Sequence, residues 1–328
     1  MTGRQPIEAN RNSNFDWLRL FLSFSVAYFH AGYFSRVVNG EDVPFGAIPF
    51  PMVPTFLALS GYLMFNSFAS SRSWFHFMQK RALRILPALI LSLVVSGFVW
   101  GFYIGVIGSI KIYIGGGMLL SSPGGNGSLW SLLWEEIAYA IMALLIAMRA
   151  YNHKIIIWSC FVAACGIAAV FDQQEPVWRI TNLIPALFTG NLVFLYKEQL
   201  SKLPWLLLAF VLILVTALNI YYHLPPQAWY MVPIGGFLAL NLCLNAPSLP
   251  KMPFDISYGV YVFHDPIFYM SSKLVPDSFE GMFFAGAPVL IALSLFSWFA
   301  VEKPALSFKK KGKSFDSKSD NLKIYSPR

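Results

Sequence analysis

The chain has 328 residues and a formal net charge of +8, and 56% of its residues are hydrophobic while 12% are charged. A soluble domain usually carries about twice that share of charged residues, so the composition excludes an ordinary water-soluble protein and favours one embedded in a membrane. The basic residues form no face with interleaved aromatic side chains, which argues against a nucleic-acid-binding protein.

Apolar runs long enough to cross a bilayer recur about ten times, which predicts an all-α, polytopic membrane protein. They cover residues 15–35, 47–67, 84–105, 129–148, 155–171, 180–196, 203–221, 229–245, 254–272 and 282–301. A cytoplasmic N-terminus puts most Lys and Arg residues, and the C-terminus, on the cytoplasmic side, as the positive-inside rule requires. We expect a cytoplasmic segment (1–14), a transmembrane domain (15–306) and a basic, disordered cytoplasmic tail (307–328) whose lysines can touch anionic membrane lipids.

The first apolar run carries one stripe of polar side chains. Arg19 and His30 lie eleven residues apart, an offset that returns to nearly the same helix face after about 16 Å. Asp16 and Ser23 fall on that face too. Ionisable groups at membrane depth are costly and usually mark a site or a pathway. Asp16 and Arg19 could instead anchor the helix end by reaching the interface, but His30 is too far along the run for that role.

A basic cluster opens the third run, where Arg81 and Arg84 lie three residues apart and share one helix face. Guanidinium groups bind phosphate through paired hydrogen bonds, and free N–H groups at a helix N-terminus would add to such a site. The alternative is that both residues are ordinary positive-inside charges. The cluster is therefore a candidate phosphate site on the cytoplasmic side.

A pair of acidic residues lies early in the fourth run, after a glycine-rich segment. Ser131 and Glu135 are one turn apart, and Glu136 is adjacent. A carboxylate at the expected depth of His30 can orient and stabilise an imidazole, and we expect Glu135 to have that role. The alternative is that the acidic residues favour a helix N-terminus through the helix dipole.

The ninth run carries Ser257, Tyr261 and His264 at helical spacing, so the three side chains form one stripe. Asp265 follows His264 in the sequence, but its side chain should point to another side of the helix. A Tyr and a His whose polar atoms are hydrogen-bonded inside a helix bundle, without a role in a site, would give the same pattern. The stripe is therefore a candidate for a supporting role at a site.

These segments, in this order, resemble the integral-membrane acyltransferase family of the acyltransferase-3 type, whose members O-acylate bacterial surface glycans. The chain departs from the family pattern at Asp265, where an aromatic residue is common, and at Trp134, where a small residue is common. Each motif is weak alone, whereas the ordered set is specific. The resemblance covers residues 15–306 and rests on Asp16-x-x-Arg19 with His30, Leu59-Ser60-Gly61-Tyr62, Arg81-x-x-Arg84, Leu129-Trp130-Ser131 with Glu135, Ile256-Ser257-Tyr258 with Tyr261 and His264, and Val301-Glu302-Lys303-Pro304.

The resemblance implies an O-acyltransferase of the bacterial inner membrane. Such an enzyme moves an acyl group, most often acetyl, from cytoplasmic acetyl-CoA to a sugar hydroxyl of a cell-surface or exported glycan or of a lipid-linked sugar. His30 would be the general base, oriented by Glu135, and Arg19 would donate to the carbonyl oxygen or the pantetheine arm. Arg81 and Arg84 would hold the phosphates of acyl-CoA, a co-substrate, with no tightly bound cofactor and no metal. The remaining candidates would bind substrate or support the site, and they are Asp16, Ser131, Glu136, Ser257, Tyr261 and His264.

Two other classes of function fit parts of the sequence. A proton-coupled secondary transporter of a sugar or organic acid would also place His, Arg and Glu at membrane depth, although the two halves of the chain show no internal symmetry. A non-catalytic membrane scaffold would leave the buried ionisable groups unexplained. The residues also leave open whether His30 acts as a base or forms an acyl-histidine intermediate.

Overall fold

A computed structural model describes residues 12–38, 50–69, 71, 74–118, 124–172, 174, 177–225, 228–276 and 278–308. All regular structure within these ranges is helical, so the all-α expectation is confirmed there. Most of the expected N-terminal segment and nearly all of the basic tail lie outside the described residues. The helices are α1 (Asn14–Val38), α2 (Met52–Ala69), α3 (Trp74–Trp100), α4 (Gly108–Gly115), α5 (Trp130–Ala147), α6 (Lys154–Val170), α7 (Val177–Thr181), α8 (Leu183–Leu195), α9 (Lys197–Leu200), α10 (Trp205–Tyr221), α11 (Met231–Asn245), α12 (Ser257–Leu274), α13 (Phe279–Phe296) and α14 (Lys303–Ser307), with π-helical segments at Phe102–Ile107 and Ser297–Glu302 and 3-10 turns at Gly127–Leu129 and Ala150–Asn152.

Every predicted span coincides with at least one of these helices. Within the described part of the chain, Phe75–Trp100, Gly127–Ala147 and Phe279–Ser307 are long and apolar enough, by length and composition, to cross a membrane. Several shorter apolar helices accompany them. The count of about ten crossings and the cytoplasmic location of both termini stay predictions, because helix length and composition do not fix the side on which a helix begins.

The third predicted span starts earlier than the sequence pattern suggested. Helix α3 begins at Trp74, not at residue 84, and it continues through the basic cluster. It does so because Phe77 and Ile85 are buried on one face, so the apolar stripe extends through the charged residues. Arg81 and Arg84 therefore lie inside the helix, and the prediction that free N–H groups of a helix N-terminus stand beside them is wrong.

Helices α1 and α12 run side by side in the same direction. At the start of α1, the Leu249 N–H donates to Asn14 Oδ1 at 2.8 Å. Further along α1, His30 Nδ1 lies 3.6 Å from Asp265 Oδ2 on α12. One turn later on both helices, the Phe34 and Tyr269 rings lie 5.9 Å apart. The contacts follow the same order along α1 and α12, so the two helices are parallel.

The chain reverses direction after α3. Gly101, with a φ of 81°, adopts a backbone conformation that other residues rarely take, and it separates α3 from the π-helical segment Phe102–Ile107. Gly116 and Gly117, with φ of 51° and 96°, end α4 in the same left-handed region. The indole N–H of Trp134 donates to the Gly116 carbonyl oxygen at 2.8 Å, which fixes this turn against α5.

The segment before α5 is fixed onto α12 by a buried asparagine. Asn126 Nδ2 donates to the Val262 carbonyl oxygen at 2.7 Å. The Asn126 main-chain N–H donates to Ser109 Oγ at 2.8 Å, and its Oδ1 accepts from the Ser128 hydroxyl at 2.6 Å. Because Asn126 is fully buried, these bonds are made away from water and hold the start of α5 beside the middle of α12.

Candidate functional site

A cavity of about 110 Å³ opens between α1, α2, α3, α5, α8 and α12. A concave, mostly apolar space with a few converging polar groups is the usual form of a small-molecule site. Residues that lie far apart in the sequence meet on its wall. The polar lining is Arg19, Ser60, Arg81, Arg84, Ser131, Glu135, Tyr139, Ser257, Tyr258 and Tyr261, and the apolar lining is Val53, Phe56, Leu57, Leu63, Ile85, Leu132 and Leu183.

Arg84 is held by an ion pair on the cavity wall. Its Nη2 donates to Asp255 Oδ2 at 2.6 Å, and both side chains are mostly buried. Asp255 Oδ1 accepts from the Ser257 hydroxyl at 2.6 Å and from the Ser257 N–H at 3.3 Å. Asp255 was not among the predicted site residues, although an acidic residue two positions before a helical Ser is a recognisable turn and capping signal.

Arg81 has different surroundings from Arg84. Its Nη2 donates to Ser67 Oγ at 2.6 Å, and its guanidinium lies 5.8 Å from the Phe77 ring centroid and 5.5 Å from that of Tyr139. No carboxylate lies within ion-pair distance of Arg81 among the described residues. Its positive charge is therefore partly stabilised by aromatic faces and makes no direct ion pair in the described part of the chain.

Asp16 and Arg19 contact each other at the start of α1, as their spacing suggests. Arg19 Nη1 lies 3.4 Å from Asp16 Oδ1. Arg19 also lines the cavity, whereas Asp16 does not. Asp16 is thus connected to the cavity wall through its contact with Arg19.

The two acidic residues of α5 do not contact His30. Glu135 Oε1 accepts from the Ser60 hydroxyl at 3.0 Å and from the Tyr139 hydroxyl, so it faces the cavity. Glu136 Oε2 accepts from the Tyr113 hydroxyl at 2.7 Å, away from the cavity wall. The prediction that Glu135 orients His30 is wrong, because Glu135 is held by α2 and by its own helix.

The carboxylate beside His30 is Asp265. His30 Nδ1 lies 3.6 Å from Asp265 Oδ2, and 25% of the His30 side chain is exposed against 6% for Asp265. Asp265 was predicted to point to another side of α12 than the stripe, yet His30 on α1 contacts both His264 of the stripe and Asp265. An ionisable residue in the middle of an apolar run was itself a signal that could have identified Asp265.

His264 lies between His30 and the cavity. Its ring centroid is 4.6 Å from that of His30 and 5.8 Å from that of Tyr261. His264 is fully buried, its Nδ1 lies 3.3 Å from the Val260 carbonyl oxygen, and its Nε2 has no hydrogen-bond partner among the described residues. A buried ring nitrogen without a partner is costly and calls for an explanation.

Three of the site residues therefore follow one another along the axis of α12. Ser257, held by Asp255, is followed after about 6 Å by Tyr261 and after about 4.5 Å more by His264. Tyr261 OH lies 2.6 Å from Ser131 Oγ, which joins α12 to α5. The arrangement has cationic groups at one end and an imidazole–carboxylate pair at the other, which suits a reaction between an anionic ligand in the cavity and a group activated by a base.

Known proteins resemble this chain over most of its length. Residues 12–303 match the family described as an acyltransferase domain. The chain is 25% identical over 330 residues to a protein named O-acetyl transferase from Shigella phage Sf6, a match that covers 91% of this chain and 97% of the phage protein. It is 26% identical over 357 residues to nodulation protein 10 from Rhizobium leguminosarum bv. viciae, covering 92% and 95% of the two chains. No solved structure matches the chain significantly.

Proposed function

The chain belongs to this acyltransferase family and is a membrane O-acyltransferase, and we propose that it moves an acetyl group from acetyl-CoA to a sugar hydroxyl of a cell-surface or exported glycan. One observation carries the proposal. One cavity has on its wall the guanidinium of Arg81, which makes no ion pair with any described residue, and a short series of rings leads from Tyr261 on that wall to His30.

The arginine end of the cavity supports an anionic acyl donor. Arg81 offers a positive charge that no carboxylate in the described part of the chain neutralises, and Arg19 lines the same space. Guanidinium groups are well suited to phosphate, with which they form paired, charge-assisted hydrogen bonds. Because Arg84 is already paired with Asp255 at 2.6 Å, we assign the main phosphate contact to Arg81 and a bracing role to Arg84.

The middle of the cavity supports a thin, mostly apolar ligand arm. Phe56 and Leu132, among other apolar side chains, line the cavity together with the arginines and Tyr261. The pantetheine arm of coenzyme A has alkyl segments broken by amides, and it is long enough to pass from a phosphate contact toward Tyr261. Burial of its alkyl segments would add binding energy that is equal in the ground state and the transition state.

The far end supports general-base catalysis. His30 has one ring nitrogen directed at Asp265, and its side chain is a quarter exposed, so the second nitrogen can meet an acceptor hydroxyl. Imidazole changes protonation state near neutral pH, which makes it the usual base for hydroxyl groups. Asp265 would orient the ring and stabilise the imidazolium that forms when the hydroxyl proton is taken.

The donor and the acceptor are tested together. Cells that produce the wild-type chain, His30→Ala or no chain are compared by mass spectrometry of their surface and lipid-linked glycans, and purified protein in liposomes is given acetyl-CoA labelled in the acetyl group. We expect acetylated sugars and labelled product with the wild type alone. Gly166→Ala, at a helical position where a Cβ meets nothing within 4 Å, is the matched control and should behave as the wild type. Identical glycans in all strains, with no acetyl-CoA consumed, would contradict the proposal.

A further inference from the structure

Ser131 and Tyr261 form a hydroxyl pair on the wall of the cavity. Ser131 Oγ and Tyr261 OH are 2.6 Å apart, and either can be the donor. Two hydroxyl groups carry two protons, and their mutual bond uses one of them. Among the described residues neither hydroxyl makes a further hydrogen bond, so one O–H of the pair is left to donate to a molecule in the cavity.

Several buried serines in the helices use their hydroxyls differently. Ser92, Ser96 and Ser294 each donate to a main-chain carbonyl oxygen of their own helix, at 2.7 to 2.8 Å. This is the ordinary way to satisfy a hydroxyl inside an apolar helix bundle. Ser131 is in a helix too, yet its partner is a side chain of α12, and both partners face the cavity. The Ser131–Tyr261 bond is therefore not the usual hydrogen bond by which a buried Ser donates to a carbonyl oxygen of its own helix.

The position of the pair indicates which substrate atom it would meet. Along α12, Tyr261 lies past Ser257, which marks the arginine end, and before His264, whose ring is 4.6 Å from that of His30. A donor whose phosphates are at Arg81 would bring its thioester to the part of the cavity nearest His30. The thioester carbonyl oxygen is then the substrate acceptor that lies closest to the free O–H.

We propose that the Ser131–Tyr261 pair donates a hydrogen bond to the thioester carbonyl oxygen of the acyl donor and stabilises the oxyanion of the tetrahedral intermediate. This inference rests on the proposed function. The sugar oxygen forms a bond to the carbonyl carbon while His30 takes the hydroxyl proton, and the C=O electron pair moves onto the carbonyl oxygen at the hydroxyl pair. The intermediate then re-forms the C=O bond and breaks the C–S bond, and the thiolate of coenzyme A takes the proton from His30.

Such a donor matters more in the transition state than in the ground state, because negative charge develops on the oxygen to which it donates. Loss of one oxyanion donor costs about 10²- to 10³-fold in kcat in well-studied enzymes. Coenzyme A itself lacks the acyl carbonyl. Its affinity should therefore be insensitive to the pair, which separates this role from a structural one.

The test uses Tyr261→Phe, Ser131→Ala and the double variant, in full-length protein reconstituted in liposomes. We expect kcat for acetyl transfer to fall by about 10²-fold or more in each single variant, with KM for acetyl-CoA and the affinity for coenzyme A nearly unchanged. The hydroxyl that remains in a single variant still carries a proton but has lost the partner that fixes its direction, so the double variant should lose little beyond either single variant. Ser131→Thr, which keeps a hydroxyl, should recover part of the loss.

Tyr258→Phe is the matched control. Tyr258 lines the same cavity, but its hydroxyl already donates to the Ile85 carbonyl oxygen at 3.1 Å. We expect its removal to lower kcat much less than the removal of the Tyr261 hydroxyl. Equal losses in Tyr258→Phe and Tyr261→Phe, or a wild-type kcat in Tyr261→Phe, would overturn the inference. So would a weakened coenzyme A affinity that accounts for the whole loss of Tyr261→Phe. Failure of the wild type itself to use acetyl-CoA would instead refute the proposed function.

Discussion

The two ends of the site hold their polar side chains in different ways. At the cavity end, Arg84 is fixed by a 2.6 Å ion pair to Asp255, which is fixed in turn by Ser257. At the other end, His30 and Asp265 are 3.6 Å apart, and the neighbouring His264 keeps a ring nitrogen without a partner in the described part of the chain. Fixed charges suit binding, because their contacts are the same throughout the reaction, whereas loosely paired groups suit proton transfer, in which hydrogen-bond partners change.

The largest effect on the rate of acetyl transfer is expected from a substitution of His30. We expect His30→Ala to lower the rate of acetyl transfer by about 10²- to 10⁴-fold, because the general base is lost. Binding of coenzyme A, measured by calorimetry on the reconstituted protein, should persist, since the arginine end is untouched. A variant that transfers acetyl at nearly the wild-type rate would remove His30 from the chemistry.

Asp265→Asn should have the next largest effect. The neutral side chain no longer stabilises the imidazolium, so we expect kcat to fall by roughly 10²-fold while KM changes little. Steady-state kinetics with labelled acetyl-CoA separates the two constants. If Asp265→Asn is fully active and Glu135→Gln is inactive, the carboxylate assigned by the sequence pattern is the functional one after all.

Gly127→Ala tests the same carboxylate without changing its chemistry. A Cβ at Gly127 would lie 2.7 Å from Asp265 Oδ2, which is too close, so the carboxylate must move away. We expect a loss of kcat in the direction of Asp265→Asn, although a smaller one, since the acid is still present. Gly166→Ala again provides the control for a glycine change in an apolar helix.

Substitution of Arg81 at the arginine end of the cavity should change mainly the KM for acetyl-CoA. We expect Arg81→Ala to raise the KM for acetyl-CoA by about 10- to 100-fold, the size of a lost hydrogen bond to a charged group, with a smaller change in kcat. Arg81→Lys should recover only part of the affinity, because an ammonium lacks the planar fork. An unchanged KM in Arg81→Ala would show that the phosphates bind elsewhere.

Arg84 should contribute mainly to the folding free energy of the protein. Arg84→Ala and Asp255→Ala each leave a partly buried charge without its partner, which we expect to cost about 1–3 kcal/mol of folding free energy. Thermal unfolding in detergent should therefore show that the double variant is more stable than the sum of the single losses implies. Additive losses would mean that the ion pair contributes nothing and that Arg84 is free to bind phosphate as Arg81 does.

The smallest effect is expected for the two glutamates of α5. Glu135→Gln keeps an oxygen for the Ser60 hydroxyl, and Glu136→Gln keeps one for the Tyr113 hydroxyl. We expect Glu135→Gln to lower activity by roughly 3- to 10-fold and Glu136→Gln by less, because only Glu135 faces the cavity. The reverse order in side-by-side assays would mean that Tyr113 and Glu136 belong to the site.

Much of the site could be predicted because polar residues stand out in apolar runs. Arg19, Arg81 and Tyr261 were identified from their helical spacing, and all three line the cavity. Asp255 was missed because it precedes its helix and carries no periodic signal. The roles of all these residues stay predictions, since a position on a cavity wall does not measure a contribution to the reaction.

The amino-acid sequence was enough to predict most of the long helices and the family, because hydrophobic periodicity and motif order are properties of one chain segment at a time. It could not determine which carboxylate lies beside His30. Helical spacing fixes the directions of side chains within one helix, whereas the partner depends on which neighbouring helix packs on that face and at what height. Only the parallel packing of α1 on α12 decided that Asp265, and not Glu135, lies 3.6 Å from His30.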